Sequence, residues 1–215
     1  MEQNWKRTCG NFCVIEIGVS ESELEATIRP FVEVLDESGI PYYIGGSVAS
    51  SVFGIARSTL DVDIVAALTG DHVAALVKKL EAVYFISEAG MKEAIEQESS
   101  FNLVHLETMM KIDVFILKAR AFDQAAFRRR RKDPLDSENL QSTYYVGSPE
   151  DIVLAKLEWY RKGGKRSERQ WNDVLGVLKV QGESIDCVYC NKWARRLGLT
   201  QLLDAAIRES GQSKD

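Results

Sequence analysis

The stretch Tyr43-Ile44-Gly45-Gly46-Ser47, joined by thirteen residues to Asp61-Val62-Asp63-Ile64-Val65, decides how this chain is read. An apolar run into two glycines and a serine reads as a short strand, a tight turn and a short helix ending near Phe53. Glycines let backbone N–H groups approach an anion closely, and a helix N-terminus adds partial positive charge. Ser47 can add a hydroxyl donor. Taken alone, such a triplet is most often only a turn. Residues 60–67 read as a strand, in which i and i+2 share a face, so Asp61 and Asp63 project together while Leu60, Val62 and Ile64 are expected to pack inward. Two acids side by side repel unless a cation lies between them. The plain alternative is a strand edge open to water.

Further along, Lys111-Ile112-Asp113-Val114-Phe115-Ile116 is an apolar strand interrupted by one carboxylate. An isolated buried carboxylate costs several kcal/mol, so Asp113 needs a cation or hydrogen-bond donors. With this strand beside the Asp61 strand, three carboxylates are expected to converge on one point. Oxygen donors with room for water and phosphate suit Mg²⁺, and two such ions suit phosphoryl or nucleotidyl transfer.

The rest of the first part alternates helices and strands. A helix opens at Ser20 or Ser22, each with a glutamate three residues on, carries Leu24, Ile28, Phe31, Val32 and Leu35 at helical spacing and ends at Gly39. Residues 71–82 read as a helix, 83–87 and 101–107 as strands, and helical patterns cover 88–98 and 121–130. After Tyr144-Tyr145-Val146-Gly147 the texture changes. Ser148-Pro149-Glu150-Asp151 is a helix start, with a serine cap, proline in the first turn and acids at the positive end. From there only helices are expected, over about 149–162, 167–180, 187–197 and 199–209. The expected fold class is therefore α/β (α+β): a catalytic lobe over residues 1–145 built on a mixed sheet with flanking helices, then a helical lobe over 146–215.

The joint pattern of Gly45-Gly46-Ser47, Asp61-x-Asp63 and a later Asp113 in an apolar strand resembles the polymerase-beta-like nucleotidyltransferase superfamily. Arg57-Ser58-Thr59 fits the basic-then-small run often found before its acid pair. In the second lobe, Ser148 to Leu157 followed by Arg169-Gln170-x2-Asp173 is similar to the abortive-infection toxin-type and minimal nucleotidyltransferases, and the resemblance spans roughly residues 40–180. It implies that Gly45, Gly46 and Ser47 hold the phosphates of an NTP such as ATP, with Arg57 assisting. It implies that Asp61, Asp63 and Asp113 hold two Mg²⁺ ions, and that Asp113 helps deprotonate an acceptor hydroxyl. Lys156, in the apolar stripe Ile152, Val153, Leu157, Tyr160, would neutralise the triphosphate, and Asp173 stands on the flank of its helix. The acceptor stays open among an RNA or tRNA end, a protein side chain and a small molecule. A toxin role would add a cognate antitoxin as partner. The rival reading is a non-catalytic nucleotide- or partner-binding module on the same fold.

Composition bounds these expectations. With 215 residues, 45% hydrophobic and 27% charged, the chain can bury a real core, which excludes a disordered or collagen-like protein. No apolar run approaches the roughly 18 residues that a membrane span needs. The stretch MEQNWKRTCG has no apolar core of a secretory signal, so a cytoplasmic location is expected. The net charge of −5 argues against a passive nucleic-acid coat, but it hides a split: residues 1–117 carry 8 basic and 18 acidic groups, residues 118–215 carry 19 and 14. An acidic metal-binding lobe facing a basic phosphate-binding lobe is the expected division. The basic run Arg128-Arg129-Arg130-Arg131-Lys132 and the loop Lys162-Gly163-Gly164-Lys165-Arg166 read as solvated ends or as an RNA-backbone contact, and no RNA-binding motif with interleaved aromatics is visible. Two cysteine pairs, Cys9-x3-Cys13 and Cys187-x2-Cys190, could build a four-thiolate zinc site if the termini met, but the second lacks the glycine-rich knuckle usual around zinc, and Val188 and Tyr189 look like packing residues; reduced, partly buried thiols are expected. With only two histidines, His-rich metal chemistry is excluded.

Overall fold

The computed structural model describes residues 21–135 and 141–211. One mixed sheet of seven strands organises them. Helix α1 (Glu21–Glu37) leads into β1 (Tyr42–Ile44), α2 (Gly46–Phe53) and β2 (Asp61–Ala66). A 3-10 turn and α3 (Val73–Leu80) precede β3 (Tyr84–Ile86), α4 (Glu88–Glu96), β4 (Ser100–His105) and β5 (Lys111–Ile116). Then come α5 (Ala121–Arg129), β6 (Arg131–Pro134), β7 (Thr143–Val146) and four helices: α6 (Pro149–Lys162), α7 (Glu168–Gln181), α8 (Cys187–Leu197) and α9 (Thr200–Glu209). The strand order is β3-β4-β5-β2-β1-β7-β6.

Alternation decides which face each strand shows. Val62, Ile64 and Ala66 of β2 and Ile112, Val114 and Ile116 of β5 are buried. They join Ile28, Phe31 and Leu35 of α1, Leu76 and Leu80 of α3 and Met91 of α4 in one core. A one-residue slip would expose this whole row, at about 1.5–3 kcal/mol for each large aliphatic side chain. The odd-numbered residues of both strands are thereby held on the opposite face. β2 and β5 run parallel with Asp63 opposite Asp113 and Asp61 opposite Lys111.

A second core gathers Leu157 of α6, Val174 and Val177 of α7, Trp193 of α8 and Leu203 of α9. It also takes in Ala49 and Phe53 of α2, Phe122 of α5 and Val146 of β7, so the terminal helices pack directly on the glycine-turn helix. Ser148 caps α6 by accepting from the Asp151 amide, with Pro149 in its first turn.

Three sequence expectations change, and one strand pair is added. Residues 131–134 and 143–146, assigned to no element from the sequence, form an antiparallel edge pair, and β7 extends the sheet parallel to β1. Short, charge-rich edge strands carry little periodic signal. Leu60 lies before β2 and is 63% exposed, not packed inward. Val188 is likewise exposed. Most of the arginine run is bound within the fold. Arg129 reaches Glu150 (2.8 Å) and Asp151 (3.3 Å), with its guanidinium 3.9 Å from the Tyr189 ring centroid. Arg130 donates to the Phe127 carbonyl, and Arg131 pairs with Asp133. Cys187 and Cys190 are free thiols, one half-buried and one buried, while Cys9, Cys13 and Ser20 lie outside the described residues. Among the described residues no helix is long and apolar enough to cross a membrane.

Candidate active site

The glycine turn and the acid pair meet at atomic contact. Gly46 opens α2 at φ +54°, and a Cβ there would lie 1.6 Å from Asp63 Oδ2. No side chain but hydrogen fits, and the left-handed φ independently favours glycine. The Gly45 amide donates to the Asp63 carbonyl (2.8 Å), which seats the turn on β2. Because Ala49 is the first amide to find a carbonyl within the helix, bonding Gly45, the amides of Gly46, Ser47 and Val48 are the unpaired N-terminal donors that a phosphate would use.

Strand register places Asp61, Asp63 and Asp113 on one face, but their carboxylates do not close on one point. Asp61 accepts from Thr59 Oγ1 (2.7 Å), and Asp113 pairs with Lys111 Nζ (2.7 Å). Among the described residues no three His, Cys, Asp or Glu side chains form a ready-made metal cage. The expected convergence is thus a shared face rather than a formed ligand set. The donor set nonetheless fits Mg²⁺, which is commonly held by one or two carboxylates together with substrate phosphates and water. Burial, then the charges of Asp61 and Asp113, push the Asp63 carboxyl up to about 6. A cation beside Asp63 would relieve that crowding.

Near the acids, α6 and α7 meet Arg57 and the start of α2 in a compact ionic cluster. Lys156 Nζ donates to Asp173 Oδ2 (2.7 Å) and to Gln170 Oε1 (3.3 Å). Arg57 grips the same carboxylate through Nε (2.8 Å) and Nη2 (3.0 Å), and Nη2 also reaches Ser47 Oγ (2.5 Å). The Lys156 and Asp173 side chains are each 5% exposed. Burial pushes the Asp173 carboxyl up, but hydrogen bonds from Arg57 and Lys156 outweigh it and hold it below its usual range. Within this cluster two cations share one carboxylate, and Arg57 physically joins Ser47 to α7.

Contact, register and charge thus tie Gly45, Gly46, Ser47, Arg57, Asp61, Asp63, Asp113 and Lys156 into one neighbourhood. Asp173 belongs to it as the counter-ion that organises Arg57 and Lys156. Lys111 is the residue that reading the sequence missed; its place two residues before Asp113, hence on the same strand face, was the available signal.

No protein-family model matches the chain, and no curated protein matches it. Solved structures do. The nucleotidyltransferase-like antigenic protein of Paracoccidioides brasiliensis superposes with a TM-score of 0.54 at 18% identity, over 88% of this chain and 94% of that one. The antibiotic-resistance factor ANT(2″)-Ia in solution gives 0.53 at 12% identity, over 86% and 99%. The same factor in complex with adenylyl-2″-tobramycin gives 0.51 at 13% identity, over 86% and 97%. At such identities the likeness is one of architecture: the chain has the nucleotidyltransferase fold.

Proposed function

We propose that this protein is a Mg²⁺-dependent nucleotidyltransferase that moves a nucleoside monophosphate from an NTP to a hydroxyl acceptor. The observation that carries the reading is the contact of Gly46 with Asp63, itself in register with Asp113. It joins the glycine turn to a carboxylate pair, with Arg57 on Ser47 and Lys156 close behind. One structural neighbour is in complex with an adenylyl-bearing antibiotic, which supports the same reaction class.

Asp61, Asp63 and Asp113 would hold the divalent ions, whose contribution is to neutralise phosphate charge and polarise the α-phosphorus. The amides of Gly46, Ser47 and Val48 and the Ser47 hydroxyl bind the β- and γ-phosphates. Lys156 and Arg57 offset the charge that builds on the departing pyrophosphate. Asp113 orients the acceptor hydroxyl and takes up its proton. The acceptor oxygen bonds to the α-phosphorus as the bond from that phosphorus to the bridging oxygen breaks, releasing pyrophosphate. Kinship with toxin-type enzymes, with a cognate antitoxin as partner, rests on the second-lobe resemblance; co-purification from a native source tests it.

The decisive experiment incubates the protein with each labelled NTP, Mg²⁺ and a lysate or total-RNA acceptor pool. Label should move to an acceptor, and Asp61→Ala/Asp63→Ala should abolish it. Retained transfer in that variant overturns the site. Thermal protection by Mg·NTP, absent when EDTA is added, reports binding independently of turnover.

A further inference from the structure

We infer that the open sheet face running from Asp113 past Phe115 and Trp159 to the α6–α7 loop seats an unpaired polynucleotide end, so that the acceptor is a single-stranded nucleic acid. This rests on the transferase reading and names its acceptor class. The floor is the Asp113 face of β3, β4 and β5. Phe85, Val104 and Lys111 form one transverse row of it by register, and Asn102 is opposite Asp113. Ser100 and Asn102 are exposed and Phe85 is 68% exposed, so this part of the face is left uncovered by the described residues. Phe115, two residues beyond Asp113, sits about 7 Å along the strand on the same face. Its ring meets Trp159 of α6 with centroids 6.4 Å apart, and Trp159 remains 55% exposed. A large aromatic left open over the sheet face that carries Asp113 is a platform on which a base can stack.

Charge selects the occupant. Lys162 Nζ lies 5.3 Å from the Trp159 ring centroid, and the following loop with the first turn of α7 carries exposed Lys165, Arg166 and Arg169 against the single acid Glu168. The α6 acid Glu158 is held by Arg120 at 2.6 Å and lies 3.6 Å from Lys162, which leaves Lys165, Arg166 and Arg169 as the cations of this rim. A path from reacting carboxylate to aromatic ring to cationic loop matches a terminal hydroxyl, a stacked base and the phosphates upstream of it. The interleaving of aromatics and cations that the linear sequence lacks arises here because Phe115 and Trp159 come from different elements.

The test is fluorescence anisotropy with short labelled single strands, ribo- and deoxyribo- in separate arms, without NTP or metal. Trp159→Ala should weaken binding about tenfold or more, and Trp159→Phe should restore most of it. Lys165→Glu/Arg166→Glu should weaken binding and flatten its salt dependence. The two arms tell RNA from DNA as the source of the strand. Absence of binding by the wild type, or equal binding by Trp159→Ala, overturns the inference; so does transfer to a peptide or small molecule that Trp159→Ala leaves untouched. Trp159-dependent strand binding without any nucleotidyl transfer keeps the surface and removes the transferase reading.

Discussion

Gly46 and Asp63 are so close that a methyl group on the glycine would overlap the carboxylate oxygen, 1.6 Å away. Gly46→Ala should therefore cost about 2 kcal/mol or more in urea unfolding, since the backbone is also left-handed there, and should remove Mg·NTP protection. Gly45 is a built-in control. Its φ is −117°, and its added Cβ would meet only Tyr43 at 3.5 Å and a backbone oxygen at 4.0 Å. Gly45→Ala should fold normally.

Asp63 is crowded by burial and by Asp61 and Asp113, with its carboxyl pushed up to about 6. At pH 7.5 its ionised form is therefore a strain on the folded state. Asp63→Asn should raise metal-free stability by about 2 kcal/mol, read as a higher melting temperature, while losing Mg·NTP protection. A variant that gains nothing in stability contradicts the electrostatic account.

Asp173 works in the opposite sense. With Lys156 buried beside it, Asp173→Asn strands an ammonium without its counter-ion and should cost about 3–5 kcal/mol. Lys156→Met/Asp173→Asn should recover most of that. The carboxyl is held below its ordinary range, so its contribution is complete above the unfolded value near pH 4 and disappears as pH falls through the lower folded value. Urea unfolding from pH 7 to pH 3 should show the gap between wild type and Asp173→Asn closing only below about pH 4.

Within the basic run, position matters more than charge. Arg129→Ala leaves Glu150 and Asp151 buried without their guanidinium and should cost about 2–3 kcal/mol. Arg128, in the same last turn of α5, is exposed. Arg128→Ala should leave the unfolding midpoint unchanged. Equal effects at the two sites would contradict the assignment of Arg129 to a structural clamp.

Much of this architecture was legible from residue order. Alternation at Val62, Ile64 and at Ile112, Val114 foretold both strands and the face of their acids, because a period of two is local. The Ser148-Pro149 start of α6 was legible for the same reason, since a cap and its amide are three residues apart. The edge pair β6–β7 was not, because its residues are charged or aromatic without periodicity and are held by β1 across the sheet. Leu60 misled because apolar character alone does not say where a strand begins.

By itself, then, the sequence determined the sheet face on which Asp61, Asp63 and Asp113 stand, the glycine turn at Gly45 and Gly46, and the helical run after Ser148. Each follows from a periodicity or a cap spanning a few residues. Only the tertiary structure decided that Asp113 meets Lys111, that Asp173 binds both Lys156 and Arg57, and that Phe115 and Trp159 share a platform. Lys111 and Asp113 are near in sequence, yet a carboxylate's choice among a lysine, a cation and water depends on everything packed around it. The other partnerships join residues 17 to 116 positions apart. No local rule links them; burial of the second core brings α6 and α7 against α2 and the sheet, and the buried charges then pair with what they meet.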